Sequence, residues 1–580
     1  METSSPSTPG RASCWPRLLL ILLVMFPLSW AINALLIGSW TLFPDGHSES
    51  KRNWIEWQVI WIAAVAVIFW VTGRPLIQAK LSRFNPRRWI FGLICAASLV
   101  ALLFAIENWR GARAWHQYRQ QLEAKGAPLD FKEIIPKPVP DAQNLAATPF
   151  IKSWFEFRGN AEKIWSDQFM AARGMVNSVT NRTRRTFTDL VAWEMAFAAV
   201  QANETNREFA SDQLEPAARA KAAPAVLRGL EGSANRLAEL REASRRPLSQ
   251  YPVDYNLDDP WGILLPHLAV LRSTCERLEL RAVAELAAGQ SARAFEDVEL
   301  LVRMTDSIKT EPFLISYLVR AACVQRAAQP IWEGIAAHAW TDGQLREIQA
   351  HFETFDFIGD MKLPLDCERA AGVLTVDLVK KRGLALLLEV AGPGPLDSMD
   401  RKVANWCSGL IPDGWFDLEL VNYWQLYELQ LEGVVDFSGR VSPSRLKSNG
   451  KVLERELSRS AKSIVSAVAT HHVVARTLLP VLDRIPIKGT IGQVAADQVV
   501  IATALERFYL ANGGYPETLV ALTPTFVAQL PVDPITGQSY QYRRHENGNF
   551  VLYSVGWDEK DDHGTPGKAI FDERAGDWVW

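Results

Sequence analysis

The first hundred or so residues contain three apolar segments without a charged side chain: Leu18–Trp40, Trp57–Gly73 and Trp89–Ile106. A helix rises about 1.5 Å per residue, so each segment is long enough, or nearly so, to cross a hydrocarbon layer of about 30 Å. A water-soluble core does not require such uninterrupted runs. The sequence therefore predicts a membrane domain with three transmembrane helices.

The first segment has a second interpretation as a cleaved signal peptide. Arg11 and Arg17 precede it as a basic region, and the small residues Ala31 and Ala34 lie where a peptidase could cut. Its apolar run is longer than a signal peptide needs. Both interpretations leave two further spans.

The basic residues between the spans predict their orientation, because short loops rich in Lys and Arg stay in the cytoplasm. The loop between the first two spans has only Lys51 and Arg52, offset by Asp45 and Glu49. The loop between the second and third spans is richer in cations: Arg74, Lys80, Arg83, Arg87 and Arg88. This difference predicts a cytoplasmic N-terminus and an extracytoplasmic chain after Glu107.

None of the three predicted spans carries an ionisable side chain near its middle. Transporters and ion pathways usually need such groups, although they are costly to place in lipid. The spans are therefore more typical of an anchor than of a transport pathway.

A chain of 580 residues is too long for one core and predicts several domains. We predict a membrane domain at 1–109, a Pro-rich linker at 110–149, an irregular α-helical domain at 150–490 and a small α+β domain at 491–580. The expected fold class is mainly α. The clearest helical patterns span Thr188–Ala202, Pro224–Ala243, Ile263–Ala288, Ser291–Ile308 and Phe313–Gln329.

The charge balance and the motifs limit the function classes. Lys and Arg number 62 against 65 Asp and Glu, for a net charge of −3, which argues against nucleic-acid binding. The sequence has no His-Glu-x-x-His, Cys-x-x-Cys, phosphate-loop or nucleophile-elbow motif. No small-molecule substrate can be identified, and the sequence leaves enzymatic activity open while favouring membrane and protein partners.

One group of residues in the helical domain has two interpretations. Asp254, Asp258 and Asp259 precede His267 and could form an acid–base cluster. Aspartates in a turn before a helix more often cap it by accepting its first free amides. Glu311, just before a proline, has the same explanation because an acidic group suits a helix N-terminus.

The cysteines also leave two interpretations. Cys14 is expected in the cytoplasm and Cys95 in the membrane, whereas four others are expected outside: Cys275, Cys323, Cys367 and Cys407. An oxidising compartment would permit two disulfides in three possible pairings. Single cysteines in helices rich in Ala and Leu can equally be small buried apolar residues.

The last ninety residues predict a helix packed on a small antiparallel sheet. Val494–Leu510 has the apolar spacing of a buried helix, and Gly513 suits its left-handed end. Ser539–Arg543 and Phe550–Val555 alternate as strands around a turn at Asn547-Gly548.

This region carries four motifs in a fixed order. They are Ala-Leu-x-x-Phe-Tyr-Leu-x-Asn-Gly-x-Tyr-Pro at 504–516, Leu-Pro-x-Asp-Pro-x-x-Gly at 530–537, Tyr-x-Tyr at 540–542 and Leu-Tyr-Ser-x-Gly-x-Asp at 552–558. In order and spacing the motifs resemble the globular part of the type II secretion major pseudopilin. The resemblance covers about 492–580 and implies a two-membrane bacterium, with this module in the periplasm.

The resemblance also implies a calcium site in the loop after the last strand. The residues concerned are Asp558, Asp561 and Asp562 with the Val555 carbonyl, which together supply the oxygen ligands that calcium prefers. Acidic residues of the family further along this loop are replaced here by residues 565–568, Thr-Pro-Gly-Lys. A solvated acidic turn without metal is the alternative.

The position of the module differs from that of a pseudopilin. The family places its apolar assembly helix at the N-terminus, whereas here the module follows hundreds of residues of helical domain. Incorporation into a filament is therefore not expected. We predict a multi-pass inner-membrane protein with a periplasmic scaffold or interaction domain, with an enzyme in the helical body as the alternative.

Overall fold

The computed structural model describes residues 86–580 apart from 157, 166, 177–182, 205–206, 212, 384, 387–410, 461–470, 473–474, 477–478, 480–481 and 547. The first two predicted spans lie outside these residues. The chain divides into two compact units, Met1–Ala96 and Ala97–Trp580. The predicted domain boundaries within the second unit stay predictions.

The described part of the chain is mainly α-helical, as predicted, with a small antiparallel sheet near its end. We label its helices α1 Pro86–Ala124, α2 Phe131–Ile134, α3 Pro149–Glu156, α4 Ala161–Ile164, α5 Phe169–Arg173, α6 Leu190–Gln201, α7 Pro216–Gly229, α8 Ala234–Ser244, α9 Pro266–Ala287, α10 Ser291–Asp306, α11 Leu314–Ala336, α12 Asp342–Phe352, α13 Phe357–Asp360, α14 Lys362–Arg382, α15 Asp413–Leu431, α16 Pro443–Ser460 and α17 Arg484–Asn512. The strands are β1 Gln541–Arg544, β2 Phe550–Ser554 and β3 Trp578–Val579.

Helix α1 contains the third predicted span. Among the described helices, its segment Phe91–Ala124 alone is long and apolar enough to cross a membrane, with a mean hydropathy of 2.0 over its best window. No residue of that window is buried by the protein. By length and composition, this one helix could be a membrane span or a signal segment.

The second half of α1 packs against α15 by a close backbone approach. A Cβ built on Gly111 would lie 2.0 Å from the carbonyl oxygen of Gly414, so neither backbone leaves room for a side chain there. The Gly414 N–H donates to Asn108 Oδ1 at 2.8 Å. Gly126, at φ +68°, then turns the chain out of the helix, and Leu122 is buried just before the turn.

The Pro-rich segment after α1 lies on the body. Its prolines interrupt a continuous helix, as predicted, and leave only α2 and two short 3₁₀ turns, Asp141–Gln143 and Leu145–Ala147. Phe131 and Ile134 are nevertheless buried. The segment from 127 to 149 therefore follows the surface of the helical body and is not an open spacer.

Most of the predicted body helices are confirmed to within a few residues at their starts, but one is wrong. The pattern at Pro224–Ala243 predicted one helix, whereas α7 ends at Gly229 and α8 begins at Ala234, with a 3₁₀ turn between them. A Cβ on Gly229 would lie 2.5 Å from the ring of Phe197. This contact explains why glycine, a poor helix former, stands at the break.

Helix α17 is the central element of the second unit. It packs mainly against α11 and α12, and nearly all of its side chains from Ile485 to Arg507 are buried. The sequence predicted only Val494–Leu510, because Gly489 and Gly492 lower helix propensity before it. A Cβ on Gly489 would lie 2.0 Å from Tyr317 Oη, so tight packing on α11 requires glycine there.

The sheet has the strand order β1-β2-β3 and is antiparallel throughout. The predicted hairpin is confirmed, with Arg544 opposite Phe550 and Gln541 opposite Tyr553. Strand β3 was not predicted, since two residues carry no alternation pattern. The Trp578 carbonyl oxygen accepts a hydrogen bond from the Gln498 side chain of α17 at 2.7 Å, which holds the sheet to the helix.

Candidate functional site

The tyrosines of the C-terminal motifs attach the sheet region to the central helix. Tyr540 donates to the carboxylate of Asp497, and Tyr515 donates to that of Glu506, both at 2.7 Å. Tyr542 donates to the Pro516 carbonyl oxygen at 2.7 Å. Each of these hydroxyls donates to an acceptor in another segment of the chain. The motif tyrosines therefore have a packing role.

Asp533 of the second motif joins two segments of the module. Its buried carboxylate accepts the backbone N–H of Ile535 at 2.8 Å. It also accepts the hydroxyl of Ser554 and the backbone N–H of Val555 from the end of β2. The Asp-Pro turn is therefore tied to the start of the loop for which calcium was predicted.

The predicted calcium residues are near one another in sequence, but their polar atoms serve the loop itself. Asp558 accepts the N–H of Lys560 at 3.2 Å. Asp561 accepts the N–H of His563 at 2.8 Å and the hydroxyl of Tyr553 at 3.0 Å.

The loop closes around Asp577, which the sequence did not single out. This fully buried carboxylate accepts the backbone N–H of Asp562 at 3.2 Å on one oxygen and that of Gly564 at 2.6 Å on the other. Burial raises the pKa of Asp577, while the two amides oppose that shift. No local motif signals this role, because Asp577 follows the loop by more than ten residues.

The fit of calcium can be judged from these contacts. Among the described residues, no group of three or more His, Cys, Asp or Glu side chains is arranged to hold a metal ion. The interior of the loop presents N–H donors to a carboxylate, which suits an anionic group and not a cation. In this arrangement Asp558, Asp561, Asp562 and Val555 do not form a ligand set, and calcium stays a prediction.

A histidine of the body lies against the first motif. His338 Nδ1 is 2.7 Å from one oxygen of the buried Glu506 carboxylate, whose other oxygen binds Tyr515. The imidazole stacks on Tyr509 with ring centroids 4.3 Å apart. A carboxylate holding one nitrogen fixes the ring orientation, and the side chain remains 43% exposed.

The acid–base cluster predicted near His267 is not assembled. Asp259 caps the turn at Pro260–Gly262 by accepting the Gly262 N–H at 3.1 Å, so the capping interpretation is confirmed for this residue. Asp258 lies 3.3 Å from an Arg382 nitrogen.

His267 is instead fully buried between Phe155 and Tyr251, with ring centroids 5.2 and 4.5 Å away. Its Nε2 lies 2.8 Å from Glu311 Oε1, although the pair lacks hydrogen-bond alignment. The Glu311 carboxylate also accepts the Ser316 hydroxyl at 2.6 Å. Glu311 thus has a tertiary partner that the sequence interpretation missed.

The cysteines of the body match the packing interpretation. Cys275, Cys323 and Cys367 are buried and free, and Cys407 lies outside the described residues. The hydrogen bond to the Cys323 thiol and burial raise the pKa of Cys275. These three thiols therefore behave as small core residues.

Compared with known proteins, the chain matches no family model, no curated protein and no solved structure.

Asp577→Asn should destabilise the protein with or without calcium. Backbone N–H groups only donate, unlike the Tyr540 hydroxyl at Asp497, which can also accept. The asparagine N–H₂ would therefore face a donor at position 577, and we expect a loss on the order of 1–3 kcal/mol. Thermal unfolding of the full chain in millimolar calcium or in chelator measures the effect. Asp562→Asn, which changes an exposed carboxylate in the same loop, should be nearly neutral. A calcium-dependent rise in the wild-type midpoint would instead establish the ion.

Asp497→Asn should stabilise the protein at high pH. Burial raises the pKa of Asp497 from 3.8 to about 7, against the opposing hydrogen bonds from Tyr540 and Gln493. The native state therefore keeps a proton that the unfolded chain releases, and stability falls as pH rises from about 4 to about 7. The full shift corresponds to about 4 kcal/mol as an upper bound.

Unfolding midpoints at pH 5 and pH 8 measure this contribution. The Asp497→Asn midpoint should exceed that of the wild type at pH 8, and the difference should shrink at pH 5. Asp258→Asn, at a carboxylate whose side chain is 84% exposed, is the matched control. Its unfolding midpoint should stay close to that of the wild type at both pH values. An Asp497→Asn midpoint below the wild type at pH 8 would show that the native carboxylate is ionised and stabilising.

Proposed function

We propose that this protein is a membrane-anchored, extracytoplasmic scaffold or interaction protein of a two-membrane bacterium. Its membrane part would span the inner membrane more than once, with the N-terminus in the cytoplasm and the helical body in the periplasm. Its C-terminal module would be pseudopilin-like in fold. The apolar segment of α1, of which no residue in the best window is buried, is the observation that carries the proposal.

Helix α1 combines two environments in one element. Its first half exposes large apolar side chains: Phe91, Leu93, Ile94, Val100 and Leu102. Its second half docks on α15 through Gly111 and Gly414. The helix thus has an apolar segment that the protein leaves uncovered and a packed segment after it, which supports an anchoring role.

An exposed apolar loop tip supports the interaction role. Phe437 is fully exposed in the turn between Val435 and Val441, whose backbones pair. Asp436 holds this turn by accepting the N–H of Ser438 at 2.8 Å. A single large aromatic residue presented on an ordered turn suits a protein contact better than solvent.

An enzyme in the helical body is the second candidate, and the pairing of His338 with Glu506 favours it. A carboxylate-held imidazole is a common general base. The imidazole contacts the Glu506 carboxylate through Nδ1 and stacks on the Tyr509 ring, and neither contact activates a nucleophile. The scaffold proposal is therefore the better supported one.

Cysteine labelling tests the anchor and its orientation. In a background without native cysteines, Gln120→Cys should react with a membrane-impermeant maleimide added to intact spheroplasts, because Gln120 is exposed beyond the apolar half of α1. Leu93→Cys should stay unreactive because lipid would cover it, although the protein leaves Leu93 67% exposed. Labelling of Gln120→Cys only after lysis would overturn the proposed orientation.

Photo-crosslinking tests the interaction role. A photoreactive phenylalanine analogue in place of Phe437 should give a discrete adduct of constant mass in native membranes. The same analogue in place of the exposed Arg245 is the control and should give none. If neither position gives a discrete adduct, Phe437 is not a contact and the scaffold proposal loses its support.

A further inference from the structure

A cavity of about 440 Å³ lies where several helices of the second unit meet. The C-terminal end of α1, the first turns of α14, the end of α15 and the start of α17 contribute its walls. Its volume is within the range of about 300–1,000 Å³ that is typical of small-molecule sites. The sequence motifs do not point to it, because its residues are up to about 360 positions apart.

The charged groups of the cavity carry a surplus of positive charge. Lys125 Nζ lies 3.0 Å from Glu428, and Lys362 Nζ lies 2.6 Å from Asp366. Arg369 shares the same Asp366 carboxylate at 3.2 Å. Three cations therefore face two carboxylates, so the cavity has room for one more negative charge.

Arg369 has a donor without a partner. Its Nε is buried and forms no hydrogen bond. The guanidinium lies over the rings of Trp424 and Tyr427, with its central carbon 5.0 and 5.1 Å from their centroids, and this stacking fixes its plane. The Arg369 side chain is 18% exposed and lines the cavity, so the accessible part of the guanidinium can donate to a ligand oxygen there.

The remaining wall is apolar. Leu122, Met361, Leu365, Leu431 and Val434 line the cavity beside these charged groups. A ligand that satisfies both parts must have an anionic end and a hydrocarbon body.

We infer that this cavity binds an anionic amphiphile, a single carboxylate or phosphate group on a short hydrocarbon chain. The head group accepts from Arg369 and balances the surplus charge, and the chain lies along the apolar wall. From Ile106, the end of the predicted span, to Leu122 the helix rises about 24 Å, so the ligand enters from water and not from the bilayer. This inference assigns the body a binding activity beyond anchoring.

The test measures ligand binding to the full chain in nanodiscs. The signal from empty nanodiscs is subtracted, because it reports the ligand that partitions into the lipid. Titrations compare decanoate, decyl phosphate and the uncharged decanol. We expect saturable binding of at least one anion, with decanol at least tenfold weaker. Octanoate should bind about tenfold more weakly than decanoate, since each buried methylene contributes to affinity. Equal binding of decanol would overturn the role of the anionic group.

Two variants separate the cavity from non-specific binding. Val435→Trp places a large ring at the cavity wall and should abolish binding, whereas Val532→Trp changes another exposed valine away from it and should not. Arg369→Gln should weaken the anions at least tenfold and leave decanol unchanged. If Val435→Trp, folded by circular dichroism, binds as the wild type does, the ligand is not in this cavity.

Discussion

The burial of α17 on all sides is the constraint on which the second unit depends. This helix packs against α11 and α12 of the body, and the sheet of the C-terminal module covers it through β2 and β3. Burying side chains from Ile485 to Arg507 removes a large apolar area from water, which is the main favourable term in folding. The module and the body therefore share one core, and neither completes its own without the other.

Polar side chains on that buried helix then specify how its neighbours fit. Asp497 pairs with Tyr540, Glu506 with Tyr515 and His338, and Arg507 with Asp342. A buried polar group without a partner is costly, so alternative registers of the sheet or of α12 would be penalised.

The same principle links the anchor helix to the cavity. Gly111 of α1 packs closely on Gly414 of α15. Near the end of α1, Leu122 and Lys125 reach α14 and α15 and line the cavity. Its charged groups come from helices far apart in sequence, and Arg369 is held by two aromatic rings of α15.

The sequence by itself determined features with a local cause. These are the apolar run at Trp89–Ile106, the helix breaks at Gly289 and Gly513, and the hairpin before Ser554, each set by hydropathy, period or turn chemistry within a few residues. Only the tertiary structure decided the early start of α17, the role of Asp577 and the cavity around Arg369. These features depend on contacts between residues distant in sequence, and a single chain carries no local signal of such contacts.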